Sequence, residues 1–452
     1  MKAKTSSVMS FTRLGLVLLL ATSLSACGMF SGSKKDKSKY DDGGRERISI
    51  ISSTQGMEAD SLLANVAVAL PRPYRNSNWA QEGGNSAHDV QHLELGSQLQ
   101  QIWRRKIGRG NQKYERLISG PVAGNGMVFA VDTRGTVSAV TLETGRDVWQ
   151  TKLDDPDERS DVGYGGGAAL FGDKLYVTSG FGFVVALEAR TGQELWRYKG
   201  EVPFRGAPTA AADRVFAVTH DNQMIALNAD TGDLIWEQVG IAESAGMLGA
   251  ASPAFDGSTL VTALSSGELI ALRGSNGRIL WQDALKSSRR LTPLATLTDI
   301  DGNPVISGGR AYAISHAGRM VAIDMRSGER SWEADIAGVS TPWVAGAYAF
   351  ITTIDGQIAC VMLDSGKIRW ITQLQRFTKQ SKRTGLIKWN GPVLAGDRLL
   401  VTSSHGYVLS VSPYTGEVIS GTELPDGAST SPIVVDGKFI TLTDSGELVA
   451  FQ

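Results

Sequence analysis

The sequence predicts an all-β chain folded as an eight-bladed propeller of four-stranded antiparallel blades. A Gly followed four residues later by a Trp recurs through the 452 residues, at a mean spacing of about 45 residues. The six pairs are Gly145/Trp149, Gly192/Trp196, Gly232/Trp236, Gly277/Trp281, Gly328/Trp332 and Gly366/Trp370. Gly416 is in phase with them but has Ser420 where the Trp should be. Self-similarity at this spacing indicates one supersecondary unit repeated around a ring.

Each repeat contains four short apolar runs separated by turn residues. In the copy spanning 207–236, apolar runs at 214–218, 224–227 and 234–236 are separated by His220-Asp221-Asn222 and Asp230-Thr231-Gly232. A Pro-containing segment, here Ala207-Pro208-Thr209, opens most copies and adds a fourth strand. Short strands bounded by Gly, Asn and Asp, without helical periodicity between them, are typical of a propeller blade.

The two ends of the repeat region predict how the ring closes. Seven in-phase Gly residues give seven blades, and the last segment, 432–452, supplies three more strands but no Trp strand. The run Gln101–Lys106, upstream of the first blade, contains Trp103 and supplies the missing fourth strand. Joining the two ends completes an eighth blade and removes unpaired sheet edges.

The N-terminus has the pattern of a bacterial lipoprotein signal. Lys2, Lys4 and Arg13 precede a short apolar run, and the cleavage region that follows reads Leu24-Ser25-Ala26-Cys27, which resembles a lipobox. We therefore expect residues 1–26 to be a signal peptide and Cys27 to be the lipidated mature N-terminus. Gly28, rather than Asp, follows the Cys and favours the outer membrane.

The remaining domain boundaries follow from composition. Residues 27–47 are polar and are expected to form a flexible tether, 48–98 an extension that packs on the ring, and 99–452 the propeller. Cys360 is the only other cysteine and is expected to be a buried free thiol. The balanced formal charge of −1 implies no nucleic acid partner.

The repeats resemble the quinoprotein (PQQ-like) family, whose blades carry Ala-x-Asp-x-x-Thr-Gly-x-x-x-Trp. Residues 322–332 match with Ser327 for Thr, and residues 226–236 match with Asn228 for Asp. The resemblance implies that the Trp residues join neighbouring blades, a packing role.

Catalytic and metal-binding groups are not expected. Quinone-dependent dehydrogenases of this fold hold the quinone with an adjacent Cys-Cys disulfide, a Ca²⁺ cage and an Asp base, and this chain has no Cys-Cys. The acidic loop at 299–303 has Pro304 and Arg310 where a Ca²⁺ loop needs Gly and Glu. His88 and His92 lie four apart in a Gly-rich context, which disfavours a two-His site. We therefore predict no enzyme activity, no cofactor and no metal.

The lipoprotein signal, tether and eight-bladed ring together are similar to the BamB family of the outer-membrane β-barrel assembly (BAM) machine. That resemblance implies docking on the POTRA domains of the barrel subunit BamA, alongside other BAM lipoproteins. Two family contact motifs map here onto Phe204-Arg205-Gly206, with Val202 beside it, and onto Asp299-Ile300-Asp301. One rim face of the ring is expected to present both motifs, with Phe204 replacing the family's more frequent Leu.

The predicted function is therefore a non-catalytic scaffold on the periplasmic face of the outer membrane. Two alternatives remain open from the sequence: a periplasmic PQQ-dependent oxidoreductase, and a sensor or polysaccharide-binding propeller.

Overall fold

The computed structural model describes residues 57–153, 166–241, 251–285 and 299–452. Its described strands form eight four-stranded antiparallel sheets and one two-stranded hairpin. The signal region, Cys27 and the tether lie outside the described residues. No helix within the described ranges has the length and apolarity needed to span a membrane.

The strands follow the predicted blade order. Blades 1 to 4 are β2–β5 (Val122–Gly124, Met127–Val131, Thr136–Thr141, Asp147–Lys152), β6–β9 (Gly166–Phe171, Lys174–Ser179, Phe183–Glu188, Glu194–Lys199), β10–β13 (Thr209–Ala211, Arg214–Val218, Gln223–Asn228, Leu234–Val239) and β14–β17 (Ala254–Phe255, Thr259–Ala263, Glu268–Arg273, Ile279–Ala284). Blades 5 to 7 are β18–β21 (Val305–Ser307, Arg310–Ile314, Met320–Asp324, Arg330–Ala334), β22–β25 (Trp343–Ala345, Tyr348–Thr352, Gln357–Met362, Ile368–Gln373) and β28–β31 (Trp389–Ala395, Arg398–Ser403, Tyr407–Val411, Val418–Glu423). The hairpin β26–β27 (Phe377–Lys379, Thr384–Leu386) lies between blades 6 and 7.

Blade 8 is built from both ends of the repeat region, as the sequence predicts. It comprises β32 (Ile433–Val435), β33 (Lys438–Leu442), β34 (Glu447–Phe451) and, as fourth strand, β1 (Gln101–Lys106). β1 pairs antiparallel with β34, and Gln100 and Gln452 exchange backbone hydrogen bonds of 3.0 and 2.9 Å.

The Trp residues lie at the seams between blades. Each Trp of the repeat, and Trp103, packs its ring on the turn Gly of the next blade and donates its indole N–H to a backbone carbonyl there. These donor and acceptor pairs are Trp103 to Leu142, Trp149 to Ala189, Trp196 to Ala229, Trp236 to Gly274, Trp281 to Met325, Trp332 to Leu363 and Trp370 to Pro413. At Gly232, for example, φ is +79° and an added Cβ would lie 2.6 Å from the Trp196 ring, so glycine is required there.

One seam lacks this arrangement. Ser420 lies on the exposed strand β31 of blade 7, at the position that a Trp occupies in the other blades. In the next blade, blade 8, the third strand β34 and the fourth strand β1 are joined by hydrogen bonds and not by a turn. Blade 8 therefore has no turn Gly for a Trp to cover, which explains the missing member of the repeat.

The residues before the ring cross one of its faces. A plug segment, residues 76–93, makes hydrogen bonds to the first strand of every blade, or to the turn that follows it. In chain order it reaches blades 8, 1, 2, 3, 4, 5, 6 and 7 through Asn76, Trp79, Ala80, Gln81, Ser86, Ala87, Gln91 and Leu93. First strands of neighbouring blades contact one another around the axis, so the plug segment covers the central channel at this end.

Two structural devices hold the plug segment against the ring. Trp79 is buried, stacks on Trp343 with ring centroids 6.1 Å apart, and exchanges two 2.7 Å backbone hydrogen bonds with Ala123. Gly83 has φ +75°, and a Cβ there would lie 2.8 Å from the ring of His88, so glycine allows the segment to fold tightly on itself. We call this side of the ring the plug face and the opposite side, which carries the links between blades, the connection face.

Candidate functional site

The first of the two predicted motifs lies in the link between blades 2 and 3. The backbone of Arg205 is fixed there, because its N–H donates to the Val218 carbonyl and its own carbonyl accepts from Gly166, both at 2.9 Å. Phe204 donates to the Ser179 carbonyl at 3.2 Å, and its ring is completely buried in the apolar cluster between the two blades.

The second motif lies in the link between blades 4 and 5, and the structure brings the two motifs into direct contact. The Nη2 atom of Arg205 lies 3.1 and 3.2 Å from the two carboxylate oxygens of Asp299, and 3.8 Å from Oδ1 of Asp301. The three side chains are 3%, 2% and 8% exposed. Arg205, Asp299 and Asp301, here called the ion-pair cluster, thus join links that are two blades apart.

Burial of the cluster differs from the expectation that a rim face presents these side chains. Arg205 spans the distance between the two links, so its charge is satisfied inside the protein rather than held out for a partner. Phe204 likewise contributes to the core instead of the surface. Taking such charges out of water is costly unless they are paired, and the two-oxygen contact with Asp299 provides that pairing.

Exposed apolar residues surround the buried cluster. Val202 is partly exposed and Pro203 is exposed, and the Pro203 carbonyl accepts from the His220 N–H at 2.9 Å in the turn between β11 and β12. On the other side of that turn, buried Asn222 donates at 2.7 Å to the carbonyl of Ile241, whose side chain is 56% exposed. We call Val202, Pro203 and Ile241 the exposed rim. Sequence analysis missed Ile241 because it follows a blade strand and belongs to no motif.

The acidic members of the cluster are electrostatically unequal. Burial, and then the neighbouring Asp299 carboxylate, raise the pKa of Asp301 to about 7, while Arg205 acts in the opposite direction. Burial also lowers the pKa of His316, whose backbone N–H donates to the Asp299 carbonyl at 3.1 Å. The cluster therefore changes its charge near neutral pH, chiefly at Asp301.

The central channel opens on the connection face and ends at the plug segment. Its cavity has a volume of about 470 Å³ and is lined by polar side chains that include Glu82, Ser252, Asn303 and Thr430. Glu82 lies at the plug end, where Ser119 Oγ and the Gly120 N–H donate to it at 2.8 and 3.1 Å, and burial raises its pKa.

His88, His92 and Cys360 are buried side chains that take part in packing. His88 Nδ1 lies 2.7 Å from the Pro304 carbonyl, and His92 Nδ1 lies 2.8 Å from the Pro71 carbonyl, so both pack the N-terminal extension. Cys360 is a buried free thiol, and burial raises its pKa to about 12. Within the described ranges, no group of three or more His, Cys, Asp or Glu side chains is placed to hold a metal ion.

Comparison with known proteins identifies relatives across most of the chain. A family model described as "Outer membrane protein assembly factor BamB" matches residues 133–372. Proteins of the same name from Xanthomonas campestris and Salmonella typhimurium are 30% and 29% identical, over 80% and 77% of this chain and 87% and 88% of theirs.

Solved structures agree on the architecture. BamB from Moraxella catarrhalis superposes with a TM-score of 0.65 at 19% identity, over 78% of this chain and 100% of that one. Quinohemoprotein alcohol dehydrogenase from Comamonas testosteroni superposes with a TM-score of 0.63 at 14% identity, over 84% and 81%. At these identities the structures establish the propeller fold, whereas the family model and the sequence relatives establish kinship: the chain belongs to the family of the outer membrane protein assembly factor BamB.

Proposed function

We propose that this chain is a non-catalytic, lipid-anchored scaffold that assists assembly of β-barrel proteins at the outer membrane. Its family membership supports the general role. The lipoprotein signal ending at Cys27 supports anchoring on the periplasmic face, and docking on the POTRA domains of a BamA-type subunit is the step that links the ring to the assembly machine.

The observation that carries the docking proposal is the contact between the two motif segments. Arg205 and Asp299 lie 94 residues apart in sequence yet meet at 3.1 Å, so the two motif segments are joined on the connection face. The buried, paired cluster holds the two motif segments together and leaves the exposed rim accessible. The exposed rim then offers a partner apolar side chains whose positions are already ordered, which lowers the entropy cost of binding.

We infer from this arrangement that the family's contact residues have different roles in this chain. Phe204, Arg205, Asp299 and Asp301 hold the site in shape, and Val202 with the rest of the exposed rim makes the direct contacts. A few side chains supply most of the binding energy in protein interfaces. Single substitutions of the exposed-rim residues are therefore enough to test whether this surface docks on the partner.

The test measures binding of the purified chain to isolated POTRA domains by calorimetry. Val202→Glu and Ile241→Glu should each weaken binding about tenfold or more, because each places an unpaired charge in a desolvated contact. Ile419→Glu is the matched control, since Ile419 is 57% exposed on the outer strand of blade 7, away from the site. Wild-type affinity in both rim variants, with native unfolding curves, would show that the docking surface lies elsewhere.

The residues that line the central channel bear on the alternative function, a PQQ-dependent oxidoreductase. Quinone would be held here without an adjacent Cys-Cys pair, and none of the described residues lining the cavity is aromatic, so a planar cofactor has no ring on which to stack. These residues do not fit the quinone. Protein incubated with PQQ and Ca²⁺ should retain no quinone absorbance after gel filtration and should reduce no dye.

A further inference from the structure

A second region of the ring, running from blade 6 into blade 7, stands out by its charge. Residues 365–396 contain no Asp or Glu, although the chain as a whole has a formal net charge of −1. The cations in this stretch are Lys367, Arg369, Arg376, Lys379, Lys382, Arg383 and Lys388. Such segregation of charge in a nearly neutral chain indicates an electrostatic role for the region.

Most of these cations are held on one ordered projection, the basic hairpin, residues 375–388. Its base is anchored by buried Trp389, whose indole N–H donates to the Gln375 carbonyl at 2.9 Å, and by buried Ile387, whose N–H donates to the Arg376 carbonyl at 2.8 Å. Each residue of its tip, 379–384, is exposed, and the tip includes a 3₁₀ turn, Gln380–Lys382. The ring therefore presents the tip at a fixed position.

The cations of the hairpin are available to a ligand. Arg376 pairs with Asp355 at 2.7 Å, but Lys379, Lys382, Arg383 and Lys388 form no ion pair among the residues that the structure describes. The self-repulsion of four nearby unpaired cations is relieved by any anionic surface that binds them.

Apolar side chains accompany these charges. Leu386 is 57% exposed and lies opposite Phe377, itself partly exposed, in the two-stranded pairing. An apolar pair beside Lys and Arg matches the boundary between lipid headgroups and acyl chains, where the cations meet phosphate and the apolar groups leave water. An acidic peptide would satisfy only the charges.

The path of the chain also favours a membrane over an acidic protein. The described chain enters the ring at blade 6, where the Asp60 N–H donates to the Ile368 carbonyl at 2.8 Å and its carboxylate pairs with Lys367 at 2.9 Å. Ile368 begins strand β25, and the basic hairpin follows the other end of that strand, about 20 Å away on the connection face. Only 29 residues lie between Cys27 and Met57, so an anchored ring stays within about 100 Å of the bilayer.

The geometry points to binding of phosphate-bearing anionic lipid by the basic hairpin, which would orient the anchored ring on the membrane surface. This inference rests on the proposed lipid anchoring but not on POTRA docking. Three blades separate the hairpin link from blade 3 and the exposed rim, so the two sites share no residue.

The experiment measures vesicle co-sedimentation of the mature chain, from residue 27, carrying Cys27→Ala so that no acyl chain contributes. Phosphatidylcholine vesicles with phosphatidylglycerol should bind it, and vesicles of phosphatidylcholine alone should not. The variant Lys379→Glu/Lys382→Glu/Arg383→Glu should bind the anionic vesicles about a hundredfold more weakly, at about fivefold per cation. Leu386→Ser should weaken binding less, and added salt should weaken it strongly.

A charge-matched control excludes an effect of net charge. Arg146→Glu/Arg190→Glu/Arg278→Glu changes three exposed cations on the turns between third and fourth strands of blades 1, 2 and 4, and it should bind as the parent does. Equal losses in both triple variants, or no binding of the parent to anionic vesicles, would overturn the proposal. So would hairpin-dependent binding of polyglutamate without binding to vesicles, because the partner would then be an acidic protein. POTRA binding should remain normal in the hairpin variant, which separates this test from that of the proposed function.

Discussion

The plug face and the connection face lie at opposite ends of the central channel and are built differently. On the plug face a single segment, residues 76–93, touches all eight blades through backbone and amide hydrogen bonds and closes the channel. On the connection face the described residues line a cavity at the channel, and the ion-pair cluster joins two of the links there. The comparison teaches that backbone contacts join the blades on the plug face, whereas side-chain charges join two links on the connection face, where we propose that docking occurs.

The largest expected effect is on the plug face. Trp79→Ala removes a buried ring that stacks on Trp343 and should lower the free energy of unfolding in urea by about 3–5 kcal/mol, because the site cannot collapse around the cavity. Tyr114→Ala, at a residue 67% exposed, should change it by less than about 0.5 kcal/mol. A loss at Trp79 no greater than that of the control would mean that the plug segment does not stabilise the ring.

A smaller effect is expected on the connection face. Arg205→Ala leaves Asp299 and Asp301 buried without their cation and should cost about 3 kcal/mol in the same assay. Arg205→Glu should cost more, because it brings a third carboxylate to the cluster. Arg104→Ala, at an exposed arginine on β1, serves as the control. If Arg205→Ala were as stable as the control, the two links would be held by something other than this ion pair.

The two faces should also differ in their response to pH. Burial lowers the pKa of His88 from 6.5 to about 4, so its neutral form stabilises the plug face above pH 6.5 and that stability is lost as pH falls toward 4. The pKa of Asp301 is raised from 3.8 to about 7, so the folded state binds the extra proton and stability falls as pH rises from about 4 to 7.

Unfolding measured across this range resolves the two contributions. His88→Gln should remove a rise in stability between about pH 4 and 6.5, and Asp301→Asn should remove a fall between about pH 4 and 7, so the two profiles should depart from the wild type in opposite directions, each by up to about 3–4 kcal/mol. Wild-type pH profiles in both variants would contradict the assigned protonation states.

The sequence allowed the ring to be predicted because each blade repeats the same local devices. A turn Gly with positive φ and a Trp four residues later are short-range requirements, and even the exception at Ser420 follows from the missing turn of blade 8. The two motif segments could also be located, since each lies just before a blade-opening strand.

The burial of these motifs and the path of the plug segment could not be predicted. Whether Arg205 faces solvent or Asp299 depends on how closely two links approach, a distance that no local pattern encodes. The plug segment has no periodicity, because it meets each blade once and does so through a different residue and atom each time.

The plug segment also determines the order in which the molecule can be completed. Residues 76–93 are made before any blade, yet the surfaces that bind them are distributed over all eight first strands, the last of which ends at Val435. The segment therefore has no complete binding site until the final blade has paired with β1. Docking of these early residues on all eight blades can therefore be complete only when the ring itself is complete.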